Sequence, residues 1–330
     1  MNPDWTRDYS SLETRHLVAM TEPELASVDP LATNLIVAKD IPSLADLDVA
    51  HYQAILNSWT DDFRNRCLPY WEQFFHETPE DFENDIRYFR LGMVCQYLDL
   101  EVGISYHPEQ RDATSILYTD PSDLFLNGVI DTKFGTCGNM AALHVAIGWR
   151  MGWPVSLACV NSHFVCRYDD GKVAYNVEST DTGRGGWSCR TDGQYRADID
   201  IPEQAIRSGS DLRALSAREL LGAFVGLRAR HTQDVGKHNR DASQMLQSES
   251  DWLLSRYLFP NQRITYKNQL AISAMRGETL FKQTEIGHPV SFAAFLQQMY
   301  SRPRPVYDSQ PVDRDHSDLL FSTISKESKW

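Results

Sequence analysis

Phe134-Gly135-Thr136-Cys137-Gly138-Asn139-Met140, continuing as Ala141-Ala142-Leu143-His144-Val145-Ala146-Ile147-Gly148-Trp149-Arg150-Met151, is the stretch from which the rest of the chain can be read. Apolar side chains fall on nearly every face of the second half. The spacing therefore predicts a helix from Cys137 to Met151 that is buried all round, closed by Gly152 and Pro154. Thr136 has the side chain of an N-cap, which puts Cys137 in the first turn. Unpaired N–H groups and the positive end of the helix dipole favour negative charge there, lowering a thiol pKa from its reference of about 8.5. A single cysteine is most often a small buried apolar residue. The strands beyond the helix make Cys137 a candidate nucleophile.

Val155 to Val160 reads as a strand, and His163 to Tyr168 and Val173 to Glu178 read as two more, flanking Asp169-Asp170-Gly171-Lys172. Asp-Gly between β-rich runs predicts a hairpin with a two-residue turn at Asp170 and Gly171. That register sets His163 directly across the ladder from Glu178, with both side chains on one side of the sheet. Asn176 falls on the same face, opposite Val165. A slip of one residue would turn one strand over and separate the pair.

These three residue types suit one chemistry. A thiol needs a base to become thiolate at neutral pH, and an imidazole within hydrogen-bond reach takes the proton. A carboxylate on the far ring nitrogen fixes the tautomer and stabilises the imidazolium. The Cys137 backbone N–H, at the helix start, is a natural oxyanion donor, and a second donor is needed beside it.

Gly135-Thr136-Cys137 opening a buried helix, His163 opening a strand, and Asn176-Val177-Glu178-Ser179-Thr180 closing the next resemble the core of the transglutaminase-like superfamily, a relative of the papain-type cysteine proteases, and in particular its bacterial members. The resemblance covers roughly residues 88–180. It implies an α+β core, in which a buried nucleophile helix packs against an antiparallel sheet bearing the other two residues of a Cys-His-Asp/Glu triad. Residue by residue, Cys137 matches the nucleophile, His163 the base and Glu178 the family's usual aspartate. Two departures stand out: Gly138 replaces the tryptophan common after the cysteine, and the acid is a glutamate, with Asn176 nearby as a papain-like substitute.

Composition narrows the rest. A chain of 330 residues, 42% apolar and 11% aromatic, can bury one large core or two modest ones. The net charge of −13 disfavours a nucleic-acid surface and an acidic polymer as substrate. It leaves a neutral or cationic peptide, protein or amide as the expected partner. Neither a secretory signal nor a bilayer-length apolar run is seen, so a cytoplasmic protein without membrane contact is expected. Six scattered cysteines make neither a disulfide framework nor a CxxC metal site, and HExxH, P-loop and GxGxxG motifs are missing. No cofactor and no metal are expected.

Along the chain, residues 1–85 read as a polar arm followed by helices, with the arm reaching to about Asn34. Two helical patterns are expected between Leu35 and His76, the second interrupted by Pro69. Thr78-Pro79 predicts a helix start running on to Gly103. The catalytic core is expected over 86–200, with 106–121 as loop and 123–130 as a short helix. After Glu178, the glycine-rich loop to Trp187 could cover the thiol, making Arg184 and Trp187 candidate supporting residues beside Asn176. A helical region is expected over 201–300, with a helix opened by the capping box Ser216-Ala217-Arg218-Glu219 and further helical patterns from Met245 to Phe259, Ile264 to Phe281 and Ser291 to Tyr300, then a loose tail over 301–330. The function expected is a thiol-dependent acyl transfer on a peptide or carboxamide, by hydrolysis or transamidation. The alternative is a catalytically silent scaffold of the same fold that binds another protein.

Overall fold

The computed structural model describes residues 4–111, 116–161, 163–181, 189–199 and 201–262, with 268 and 272. The chain divides into a unit Met1–Leu270 and a unit Ala271–Trp330, and every helix and strand named here lies in the first. The helices are α1 (Thr14–Ala19), α2 (Glu22–Ala26), α3 (Pro30–Ala38), α4 (Val49–Asp62), α5 (Leu68–Glu77), α6 (Ile86–Gln96), α7 (Leu126–Thr132), α8 (Met140–Arg150), α9 (Asp192–Asp198), α10 (Glu203–Arg207), α11 (Ala217–Asn239), α12 (Ala242–Gln247) and α13 (Glu249–Leu258). The strands are β1 (Ser105–Tyr106), β2 (Phe134–Gly135), β3 (Val155–Val160), β4 (His163–Asp169), β5 (Ala174–Val177) and β6 (Cys189–Thr191). The fold is α+β.

The amino-terminal arm, expected as polar chain to about Asn34, is core. All nine residues of α3 are buried, and Tyr9, Leu17, Leu25 and Val28 join them in the main apolar cluster. The prolines that suggest irregular chain sit at helix starts: Pro23 near the start of α2 and Pro30 at the start of α3. There a missing N–H costs nothing and a fixed φ is an advantage. Asp29 caps α3 through the Leu31 N–H at 2.9 Å and forms a salt bridge with Arg150 in which both side chains are fully buried.

Pro69 does not break the second helical pattern either. The chain widens into a π-helical turn over Phe63–Cys67, with the Leu68 N–H bonded to the Phe63 carbonyl, and α5 then continues through Pro69 in its first turn. After α5 the structure departs from the single helix expected from Thr78. Pro79–Phe82 is a 3₁₀ turn, Glu83 and Asn84 adopt left-handed φ of 56°, and α6 restarts at Ile86 under an Asp85 cap. Ser105–Tyr106, expected near the head of a loop, forms a short parallel pairing with Phe134–Gly135 just ahead of Cys137.

The four-stranded sheet is antiparallel throughout in the order β3-β4-β5-β6. Leu157, Cys159, Cys166, Tyr168, Tyr175, Val177 and Cys189 join the main core, which also contains the apolar side of α8. Ala158, Val160 and Val165 join a second cluster with Tyr195 and Leu212. Both faces of the sheet are therefore buried, which specifies register strongly.

The expected register is off by two residues. Asp169 pairs with Ala174 and Arg167 with Asn176, so the hairpin loop holds four residues. The acidic side chains explain it. Asp170 Oδ1 accepts the Lys172 and Val173 N–H groups, both at 2.9 Å, and Asp169 Oδ1 accepts that of Gly171 at 3.1 Å, where φ is +78°. The loop closes on carboxylates in place of a two-residue backbone turn. A shift of two keeps every side chain on its face.

Beyond the sheet, α11 begins as the capping box predicts. Ser216 accepts the Glu219 N–H at 3.3 Å, and Glu219 accepts the Ser216 N–H at 2.9 Å. Met245 to Phe259, expected as one helix, is divided into α12 and α13 at Ser248. The helices expected at 264–281 and 291–300 fall outside the described residues apart from 268 and 272, as does the whole tail. Among the described residues no helix is long and apolar enough to cross a membrane.

Candidate active site

Cys137 does not lie in the regular helix. It lies in a turn of three residues that leads into α8, and Thr136 closes that turn as a cap would. The Thr136 carbonyl accepts from Met140 at 3.0 Å and Asn139 at 3.3 Å, and its Oγ1 accepts from Gly138 at 3.2 Å. Asn139 Oδ1 returns a bond to the Thr136 N–H at 2.9 Å. The turn is fixed from below as well: Thr136 Oγ1 donates to the Asp123 carbonyl at 2.6 Å, and Asn139 Nδ2 donates to the Ser122 and Phe125 carbonyls. Gly138 permits this closeness, since a Cβ there would stand 2.9 Å from Leu124 Cδ2. Among the described residues the Cys137 N–H has no acceptor.

His163 is the first residue of β4, and Glu178 follows the last residue of β5. In the observed register they are diagonal neighbours, a spacing wider than a direct pair. The glutamate spans it: His163 Nε2 and Glu178 Oε1 are 2.8 Å apart. That leaves Nδ1 as the ring atom not taken by Glu178, and His163 and Cys137 each shift the pKa of the other. Thr180 Oγ1 donates to Glu178 Oε1 at 2.6 Å and Tyr195 Oη to Oε2 at 2.8 Å, so both carboxylate oxygens are held.

The electrostatics arise from this geometry. Burial alone would raise the Cys137 thiol, but the bond and charge of His163, with a smaller contribution from the Tyr118 hydroxyl, bring its pKa below the usual value. Burial alone would lower His163; its bonds to Cys137 and Glu178 and their charges push it up to about 10. Against the cost of burial, the His163 and neighbouring hydroxyl bonds hold Glu178 down to about 2. The arrangement favours a thiolate, an imidazolium and a carboxylate in sequence. Cys137 is also the one partly exposed cysteine; the other five are buried, and burial raises the thiols of Cys67, Cys159, Cys166 and Cys189.

Asn176 shares the sheet face but does not reach His163. It is fully buried two residues down β5, bonded to Arg167 at 2.9 Å and Asp192 at 2.7 Å. Arg184 and Trp187 lie outside the described residues. Sequence reasoning misses three groups. Tyr195 and Thr180 hold the carboxylate, and the Tyr118 hydroxyl lies 3.9 Å from Cys137 Sγ. Only Thr180, two residues after the acid, carries a local signal. Among the described residues no cluster of three or more His, Cys, Asp or Glu could hold a metal ion.

Residues 94–186 match the family model described as transglutaminase-like superfamily. Two curated proteins from Xylella fastidiosa, of strains Temecula1 / ATCC 700964 and 9a5c and both titled UPF0162 protein, are each 25% identical over 154 residues. The match covers 44% of this chain and 47% of theirs, so the chain spans about half the length of the curated relatives it matches. No solved structure matches.

Proposed function

Starting from a transglutaminase-like core over residues 94–186, we propose that the protein is a cysteine-dependent acyl-transfer enzyme acting on a peptide or carboxamide carbonyl. The observation that carries the reading is the 2.8 Å pair of His163 Nε2 and Glu178 Oε1, together with a partly exposed Cys137 whose pKa His163 lowers. The Cys137 thiolate attacks the carbonyl carbon, forming an S–C bond while the C=O electron pair moves onto oxygen. The Cys137 N–H donates to that oxyanion. As the C=O bond reforms, the C–N bond breaks and His163 passes its proton to the departing amine. Neutral His163 then takes a proton from water or an amine as its oxygen or nitrogen bonds to the thioester carbon; the C–S bond breaks, restoring the Cys137 thiolate and releasing the acid by hydrolysis or the new amide by transamidation. Glu178 holds the ring in position through both halves.

The net charge of −13 supports a neutral or cationic peptide, protein or amide as acyl donor. All six cysteines are free, which supports a reducing, cytoplasmic setting. p-Nitrophenyl acetate, an activated acyl donor, tests the reading without knowledge of the natural substrate. The expected result is a burst of p-nitrophenolate, one per chain, with an acetyl thioester on Cys137 detected by mass spectrometry. Cys137→Ala should show no burst. A wild-type chain that behaves like Cys137→Ala is a scaffold.

A further inference from the structure

Tyr118 is delivered to the thiol by a helix more than a hundred residues away in sequence. Its N–H donates to Asp234 Oδ2 at 3.2 Å, its carbonyl accepts from His231 Nδ1 at 3.0 Å, and the Arg230 guanidinium lies 5.5 Å from its ring centroid. All three partners belong to α11. Asp234 is fully buried and is itself bonded by Arg230. Burial lowers the His231 pKa, which favours the neutral ring donating through Nδ1. The backbone of Tyr118 is thus clamped on both sides, and its hydroxyl lies 3.9 Å from Cys137 Sγ.

We propose that the Tyr118 hydroxyl is the second oxyanion donor of the site, acting with the Cys137 N–H. The proposal rests on the acyl-transfer reading and deepens it. The oxyanion is carried by the carbon bonded to Sγ, so it forms two bonds from the sulfur, within the span of a hydroxyl now 3.9 Å from that sulfur. Such a separation is long for a hydrogen bond to the resting thiolate, and a donor aimed at the oxygen shortens its bond as charge moves there from sulfur. The interaction is therefore stronger in the transition state than in the ground state, which is what accelerates a step. Burial, first, and the charge of Cys137 keep the phenol protonated and able to donate. Tyr106, on β1, is another phenol whose pKa burial, first, and the charge of Cys137 raise.

Two reagents separate this role from simple support of the thiol. Acetylation by p-nitrophenyl acetate passes through an oxyanion; alkylation by iodoacetamide, a displacement at a saturated carbon, does not. Tyr118→Phe in the full chain should slow the p-nitrophenolate burst about 10²-fold, the usual loss on removing one oxyanion donor. Its Cys137 alkylation rate should stay within about threefold of wild type, reporting an intact site. Equal loss in both reactions would make Tyr118 a support of the thiolate and overturn the assignment. So would an unchanged burst, or a burst lost in Tyr106→Phe and kept in Tyr118→Phe. A wild-type chain without a burst overturns the acyl-transfer reading itself, and this assignment with it.

Discussion

His163→Ala should move the rise of Cys137 alkylation with pH upward, from below the range of an ordinary thiol to at or above it. In the native chain the imidazolium and its bond outweigh the burial that would otherwise raise the thiol. Without the ring, burial prevails, and the thiolate fraction at pH 6 falls to less than about one part in a hundred for a thiol pKa at or above its reference. A thiolate of higher pKa is intrinsically more nucleophilic, so the rate at pH 6 falls less than the fraction does. The midpoint of the profile is therefore the decisive quantity. It is read by quenching iodoacetamide at intervals and quantifying the Cys137 peptide by mass spectrometry. The other five cysteines, all buried, act as internal references. The same midpoint in both proteins would mean that His163 does not set the state of the thiol.

Arg150→Ala should destabilise the fold by about 3–5 kcal/mol, the cost of leaving a buried charge without its partner. Arg150 ends α8, and both its side chain and that of Asp29 are fully buried. The guanidinium also reaches Asn57 Oδ1 at 3.0 Å and the Ala146 carbonyl at 3.1 Å, tying α3 and α4 to the helix behind Cys137. Asp29→Asn combined with Arg150→Met removes both charges and keeps an acceptor at the α3 cap, so it should recover much of the loss. Urea unfolding of the three proteins checks this. A double variant no more stable than Arg150→Ala would place the cost in lost packing.

The parts of the fold legible in the sequence are those fixed by short-range pattern. The all-apolar run after Cys137, the alternation of β3 to β5 and the capping box at Ser216 each carry their own signal. The shared face of His163, Asn176 and Glu178 is legible because it depends only on strand parity, which the two-residue shift leaves intact. The register itself is not, because Asp169 and Asp170 decide it with side-chain oxygens that Asp-Gly turn statistics do not weigh. Prolines at 23 and 30 look like breakers until the buried faces of α2 and α3 are seen. Tyr118 and Tyr195 have no local signal: one depends on α11, and the other on α9 packing against the sheet. A glutamate in place of the family's usual aspartate reads as a departure. The diagonal pairing with His163 shows what the extra methylene does.

The chemistry proposed for the site depends on Cys137 being held as a thiolate beside an imidazolium, and the thiolate's ultraviolet absorbance measures that state without a substrate. Subtracting the titration of Cys137→Ala from that of the wild type isolates this one sulfur. The expected difference signal develops at a lower pH than that of an ordinary thiol. A signal that develops only with the midpoint of an ordinary thiol, about pH 8.5, would contradict it.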